Sequence, residues 1–153
     1  MATARDFHLF STALTGQGAA SALAYLNAGV PHRYSALYRV GDGILRNLLL
    51  HDKLGEMRPE FLAAVPFESS FCQFVLRDGS FRTDDSGTDA RLDGHPYQGV
   101  MVSYHGVPLI GNSGELIGTL CHFDVAQHGI SDEEFALLQR AGCAFPPYLP
   151  PGP

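Results

Sequence analysis

The sequence has 153 residues, 45% of them apolar, and a net charge of −6, which together indicate one globular domain with a buried core. No run of 18 apolar residues occurs and the first residues lack the apolar stretch of a secretory signal, so neither a membrane span nor export is expected. The acidic surface excludes nucleic acid and anionic membranes as favourable partners.

The first half of the sequence predicts helices around a β-hairpin. Apolar residues at three- and four-residue steps mark the helices, and the turn Gly-Asp-Gly separates two β-prone runs. The predicted elements are a helix over 7–28 broken near Gly16 and Gly18, a hairpin of 33–40 and 44–52, a short helix after Pro59, and a helix from about Ser69 to Arg77 that Gly79 ends.

The second half predicts strands, a long loop and a final helix. A short strand at 80–83 is followed by the polar segment 84–99, whose length is typical of a functional lid or a disordered loop. Two long strands follow at 99–110 and 115–125. The last helix begins at Ser131, because Ser-x-x-Glu is a capping box. The Pro-rich end, 146–153, favours an extended tail after a single domain of residues 1–145.

Adjacent strands joined by tight turns predict an α+β fold in which helices pack on an antiparallel sheet. The strand 115–125 is apolar on both faces, so a layer must cover each face. Its two sets of alternating residues are Ile117, Thr119, Cys121, Phe123 and Val125, and Leu116, Gly118, Leu120, His122 and Asp124. We expect the terminal helices on one face. The turn-rich segment 57–99 would cover the other face loosely and leave a cavity for a small molecule.

The segments SYHGVPL (103–109) and GELIGTLCHFD (114–124) resemble the signature hairpin of GAF domains, the small-ligand sensory modules of signalling proteins. The preceding FESSFCQFV and DDSGTDARLDGHP and the closing SDEEFALLQRAG follow in the family's usual order. The resemblance covers about residues 6–143. It implies a central antiparallel sheet of five or six strands, with the first and last helices on one face and the ligand pocket on the other.

The resemblance also implies which residues line that pocket. They would be Tyr104, Thr119, Cys121 and Phe123 from the hairpin strands, Phe74 from the helix above, and His95 and Tyr97 from the loop. The implied function is a cytoplasmic small-molecule-binding regulatory module that acts in signal transduction through a partner protein or a homodimer. The helices at 6–28 and 131–143 would form the dimer seam. A purely structural dimerisation role is the alternative.

Cys121 and His122 are adjacent, which raises the question of a metal or cofactor. Neighbouring strand residues point to opposite faces, so one metal cannot easily bind both, and no metal site is predicted even with His95 or His105 as further ligands. The pair also resembles the Cys-His of phytochrome-like photoreceptors, where it lies on a helix, so no covalent bilin is expected. The cofactor stays unidentified, and haem bound through His95 remains open.

One enzyme class has a similar size. Free methionine sulfoxide reductases are stand-alone GAF proteins that use cysteine thiolates. Their loop cysteine would fall within 94–99, where this chain has none, and their substrate-binding carboxylates align with Tyr104, Cys121 and Phe123. Only Cys72 matches a cysteine position. We therefore predict a binding module without catalytic residues, in which apolar surroundings raise the thiol pKa values and slow Cys72 and Cys121, while Cys143 reacts fastest.

Overall fold

A six-stranded antiparallel sheet forms the centre of the computed structural model, which describes residues 6–150. The strands are β1 (Tyr34–Gly41), β2 (Ile44–Asp52), β3 (Ala64–Pro66), β4 (Phe81–Thr83), β5 (Ser103–Ile110) and β6 (Leu116–Asp124). They lie in the order β3-β2-β1-β6-β5-β4, and each neighbouring pair is antiparallel. The predicted α+β class and antiparallel sheet are confirmed.

Four α-helices and five short 3-10 turns complete the described part of the chain. The helices are α1 (Phe7–Gln17), α2 (Ala19–Ala28), α3 (Cys72–Asp78) and α4 (Asp132–Ala144). The predicted break in the first helix is confirmed at Gly18, whose φ of +102° lies in the left-handed region that glycine tolerates. None of the helices within residues 6–150 is long and apolar enough to cross a membrane.

The sheet separates two hydrophobic cores, as the apolar pattern of both strand faces predicted. The helix-side core joins α1, α2 and α4 to Leu37, Val107 and Leu120 of the sheet. The pocket-side core joins α3 and the segments around it to Tyr38, Tyr104, Cys121, Phe123 and their neighbours. Strands β1 and β6 therefore contribute side chains to both cores.

Two local signals of the sequence are confirmed by their geometry. Asp42 and Gly43 both have positive φ, 54° and 73°, as the tight turn of a two-residue hairpin requires. The Ser131 hydroxyl accepts a hydrogen bond from the Glu134 backbone N–H at 3.1 Å, which caps the start of α4.

Several predicted boundaries are wrong. The helix after Pro59 is only a 3-10 turn (Glu60–Leu62), and it leads into the edge strand β3, which the sequence did not reveal. The helix predicted from Ser69 begins at Cys72, because Ser70 has an extended backbone. The strand predicted from residue 99 begins at Ser103.

The end of the chain also differs from its prediction. Pro146–Tyr148 forms a 3-10 turn, because proline is compatible with the first positions of a helical turn. Leu149 is buried in the helix-side core, although Pro147 and Tyr148 before it are exposed, so residues 146–149 do not form an extended tail. Residues 1–5 and 151–153 lie outside the described residues.

A β-bulge alters one face of β6. Leu109 pairs with Gly118 and Ile110 pairs with Leu116, so Ile117 has no partner directly opposite. The Ile117 side chain packs against the helix-side core, so the prediction that it lies on the same face of β6 as Thr119 is wrong. From Thr119 onward the alternation of faces follows the prediction as far as the end of the strand, beyond which Val125 is exposed.

Candidate functional site

A cavity of about 60 Å³ lies between the sheet and the cover formed by α3 and its neighbouring segments. Among the residues that line it are Tyr38, Tyr104, Cys121 and Phe123 of the sheet, and Phe61, Phe71, Cys72, Tyr97 and Met101 of the cover. One water-sized group needs about 10–15 Å³ of such space, so the cavity holds a few of them. Within residues 6–150, no charged side chain lines it.

The structure brings four of the seven predicted site residues to this cavity, namely Tyr97, Tyr104, Cys121 and Phe123. The other three lie near it without lining it. Thr119 lies behind Cys72, and its hydroxyl donates a hydrogen bond to the Cys72 sulfur at 3.2 Å. Phe74 packs against Phe81, with ring centroids 5.0 Å apart. Ligand binding by these residues stays a prediction.

His95, the remaining predicted residue, belongs to the cover. Its ring packs on Phe71 at a centroid distance of 4.6 Å. Its Nδ1 accepts a hydrogen bond from the Tyr97 backbone N–H at 3.0 Å, and its Nε2 lies 3.3 Å from the Ser70 carbonyl oxygen. Both ring nitrogens are therefore engaged, and the cavity beside them is far smaller than a haem, so the residues present do not fit haem binding through His95.

Tyr38 and Cys72 are lining residues that the sequence analysis did not assign to the pocket. The Tyr38 hydroxyl donates to the Leu62 carbonyl oxygen at 2.9 Å, and burial raises the pKa of this phenol. Alternation along β1 could have found Tyr38, because Tyr34, Ala36 and Tyr38 share the pocket-side face. For Cys72 the sequence predicted only apolar surroundings, and no pattern in it showed what the sulfur contacts.

The two buried thiols differ in their electrostatics. The Thr119 hydroxyl donates to the Cys72 sulfur, and the Tyr104 hydroxyl lies 3.1 Å from it. The neighbouring Cys121, Thr119 and Tyr104 lower the pKa of the Cys72 thiol against the opposing effect of burial. Burial raises the pKa of Cys121 well above its ordinary value. The prediction that the surroundings raise both pKa values is therefore right for Cys121 and wrong for Cys72.

Cys121 and His122 point to opposite faces, as predicted. Cys121 lines the cavity, whereas His122 lies on the helix-side face with its Nδ1 2.5 Å from the Ser35 hydroxyl. In the part of the chain that the structure describes, no three His, Cys, Asp or Glu side chains are arranged to hold a metal ion. The Cys-His dipeptide is thus divided between two separate environments.

No protein-family model and no curated protein matches the sequence. Solved structures are similar to it in fold. A type II free methionine-R-sulfoxide reductase from Thermoplasma acidophilum has a TM-score of 0.66 at 20% identity, over 92% of this chain and 94% of that one. The GAF domain of a phosphoenolpyruvate-protein phosphotransferase from Coxiella burnetii has a TM-score of 0.70 at 16% identity, over 92% and 88%.

The corresponding GAF domain from Acinetobacter has a TM-score of 0.73 at 9% identity, over 95% of this chain and 92% of that one. The chain therefore has the fold of GAF domains, as its hairpin motif predicted. The structures with this fold include a stand-alone reductase as well as GAF domains that are parts of phosphotransferases, so the fold alone does not decide the function.

Proposed function

We propose that this protein is a small-molecule-binding regulatory module whose ligand occupies the cavity on the pocket side of the sheet. The observation that carries the proposal is the cavity itself, which is lined by residues of five strands of the sheet and of a cover made of α3 and short turns. A loosely built cover over a rigid sheet is a common arrangement of small-molecule sites, since the cover can adjust while the sheet keeps its shape.

The lining indicates the chemistry of the ligand. Because none of its side chains is charged within the described residues, a charged ligand would lose its hydration without gaining a counter-charge. The ligand should therefore be uncharged, mainly apolar and small. Phe61, half of whose surface is exposed, packs 6.4 Å from the Tyr97 ring, and movement of these two rings would enlarge the space.

The same argument separates this proposal from the enzyme alternative. Free methionine sulfoxide carries an ammonium and a carboxylate group, and both need partners when they leave water. Tyr104, Cys121 and Phe123, which occupy the positions of the reductases' carboxylates, provide none. The thiol pair Cys72 and Cys121 is the observation that favours thiol chemistry here, and sulfoxide reduction remains the second candidate on that ground.

Signal output would pass through β1 and β6. Tyr38 and Cys121 line the cavity, while their strand neighbours Leu37 and Leu120 pack in the helix-side core, so a shift of either strand reaches the helices. We propose that the helices then act on a partner protein or on a second copy of this chain, with 6–28 and 131–143 as the seam. The three free thiols suit the reducing cytoplasm.

Native mass spectrometry and an absorption spectrum of the protein as isolated test for a bound molecule directly. Xenon, a small uncharged probe, tests the cavity in the absence of such a molecule, and we expect it to raise the melting temperature. Leu62→Phe should abolish that rise by filling the cavity, whereas Leu92→Phe, in the same core but away from the cavity, should retain it. An equal xenon effect in both variants, with nothing bound as isolated, would refute the proposal.

A further inference from the structure

Two cysteines from distant parts of the chain meet at the wall of the cavity. Cys72 is the first residue of α3, and Cys121 lies in the middle of β6. Both are buried and both line the cavity. Tyr104 lies next to both of them, because its hydroxyl is 3.1 Å from the Cys72 sulfur and fills the space beside Gly106, the residue that pairs with Cys121 across β5 and β6. Two thiols in the wall of one cavity of about 60 Å³ are placed to form a disulfide, in which rotation of the side chains would bring the sulfur atoms to about 2.05 Å.

The hydrogen bonds give the two sulfur atoms different roles. Two hydroxyls lie beside the Cys72 sulfur: Thr119 donates to it at 3.2 Å, and the Tyr104 hydroxyl, 3.1 Å away, can donate to it once it is a thiolate. The Cys121 thiol instead donates to the Ala36 carbonyl oxygen at 3.9 Å. Donors around a sulfur stabilise its thiolate, the form that attacks an oxidant. Cys72 is thus the attacking thiol, and Cys121 is placed to resolve its oxidised form.

The cavity restricts which oxidant can reach this pair. Its volume of about 60 Å³ and its uncharged lining admit a small neutral molecule, while a glutathione-sized or anionic oxidant does not fit. Hydrogen peroxide satisfies both conditions. From this geometry we infer that Cys72 and Cys121 form a redox-active pair that a small hydroperoxide converts into a disulfide between α3 and β6.

The reaction proceeds in two balanced steps. The Cys72 thiolate attacks one peroxide oxygen, the O–O bond breaks, and the departing hydroxide takes up the former thiol proton to give water and Cys72 sulfenic acid. The Cys121 sulfur then attacks the sulfenic sulfur. The S–S bond forms, the S–O bond breaks, and the leaving hydroxide takes the Cys121 proton to give a second water. Two thiols are oxidised by two electrons and one peroxide is reduced.

This redox step does not depend on the proposed ligand, because it needs only the two thiols and the peroxide. The disulfide would tie the first turn of α3 to the sheet, so the cover could no longer separate from β6 at this point. Failure of the xenon experiment would leave the redox proposal standing, and failure of the redox experiment would leave the ligand proposal standing.

The test uses the full chain with Cys143→Ser, which removes the exposed thiol without touching the pair. After treatment with one equivalent of hydrogen peroxide, we expect a mass lower by two hydrogens and a Cys72–Cys121 cross-linked peptide in the non-reduced digest. A reductant should reverse both changes. Intact thiols under these conditions, or oxygen additions without a cross-link, would overturn the inference.

A matched pair of tyrosine variants tests the role of the donors. Tyr104→Phe removes a hydroxyl from the Cys72 sulfur, whereas Tyr38→Phe removes one in the same cavity that is bonded to a carbonyl oxygen. We expect Tyr104→Phe to slow oxidation roughly three- to tenfold, because a smaller fraction of Cys72 would be thiolate. The loss is limited, since a thiolate with a higher pKa is a stronger nucleophile. Its pH–rate profile should move to higher pH. Equal profiles for both variants would overturn the assignment of Cys72 as the attacking thiol.

Discussion

Phe123 contributes both to the stability of the pocket-side core and to the shape of the cavity. Only 3% of its surface is exposed, and its ring stacks on Tyr34 at a centroid distance of 5.1 Å, while its other side lines the cavity. A side chain packed in this way stabilises the folded protein as a core residue does, even though the side that faces the cavity lacks protein neighbours.

Phe123→Ala should therefore lower the free energy of unfolding by about 3 kcal/mol, the lower end of the range for a buried phenylalanine, because part of its surroundings is already a void. Chemical denaturation measures the change. Phe61→Ala, at the half-exposed edge of the same cavity, serves as the control and should cost less than about 1 kcal/mol. Similar losses in the two variants would contradict the described cavity.

The contact between α4 and the sheet depends on one glycine. A Cβ atom at Gly142 would lie 2.4 Å from the Pro108 carbonyl oxygen and 3.3 Å from a methyl group of Val107. The oxygen belongs to the backbone of β5 and cannot rotate away, so α4 could accept a larger residue there only by moving off the sheet. By contrast, a Cβ atom at Gly16 in α1 would have no atom within 4 Å among the described residues.

The same substitution should consequently have opposite effects in the two helices. Gly142→Ala should destabilise the protein by roughly 1–3 kcal/mol through overpacking. Gly16→Ala should stabilise it by about 0.5–1 kcal/mol, because alanine loses less conformational freedom in a helix. Denaturation midpoints of both variants measure the effects, and a stabilising Gly142→Ala would show that α4 packs less closely than described.

How far the sequence predicts each element depends on where its determining contacts lie. The break at Gly18, the turn at Asp42–Gly43 and the cap at Ser131 were predictable because neighbouring residues determine them. Strand β3 was missed because Ala-Val-Pro has no strand signal of its own and is defined by pairing with β2. The bulge at Ile117 likewise arises from the register with β5.

The candidate site follows the same rule. Alternation along β6 correctly predicted that Cys121 and Phe123 lie on one face of the sheet and His122 on the other, because the face of each side chain is determined within a single strand. The lowered pKa of Cys72 was not predictable, because the hydroxyls beside its sulfur, those of Tyr104 and Thr119, come from two strands that are distant from α3 in sequence.

At the scale of the whole molecule, buried histidines join the layers at one end of the sheet. His32, before β1, has its Nε2 3.0 Å from Nδ1 of His105 on β5, and the Nε2 of His105 lies 2.9 Å from an Asp84 carboxylate oxygen. Because a carboxylate only accepts, the consistent arrangement has His105 donating to Asp84 and His32 donating to His105. The other titratable groups around His32 are His122, His128, Asp124 and Lys53.

This arrangement opposes a second proton on His32. Burial, followed by the neighbouring His105 and His128, lowers the pKa of His32 from its ordinary value near 6.5 to about 3. Burial also lowers the pKa of His105, although Asp84 opposes the effect. In addition, His32 Nδ1, where the second proton would bind, has no hydrogen-bond partner between residues 6 and 150.

The protein should accordingly lose stability as the pH falls from 6.5 toward 3. In that interval the unfolded chain binds the His32 proton and the folded protein does not, so acid favours unfolding, whereas above pH 6.5 both states are neutral at this residue and the penalty vanishes. His32→Gln removes the titrating group but keeps a donor for His105, so its denaturation midpoint should fall less steeply between pH 6.5 and 4 than that of the unsubstituted protein. His8→Gln, which changes an exposed residue of α1, should leave the slope unaltered. If His32→Gln keeps the full slope, the acid sensitivity must originate in other groups.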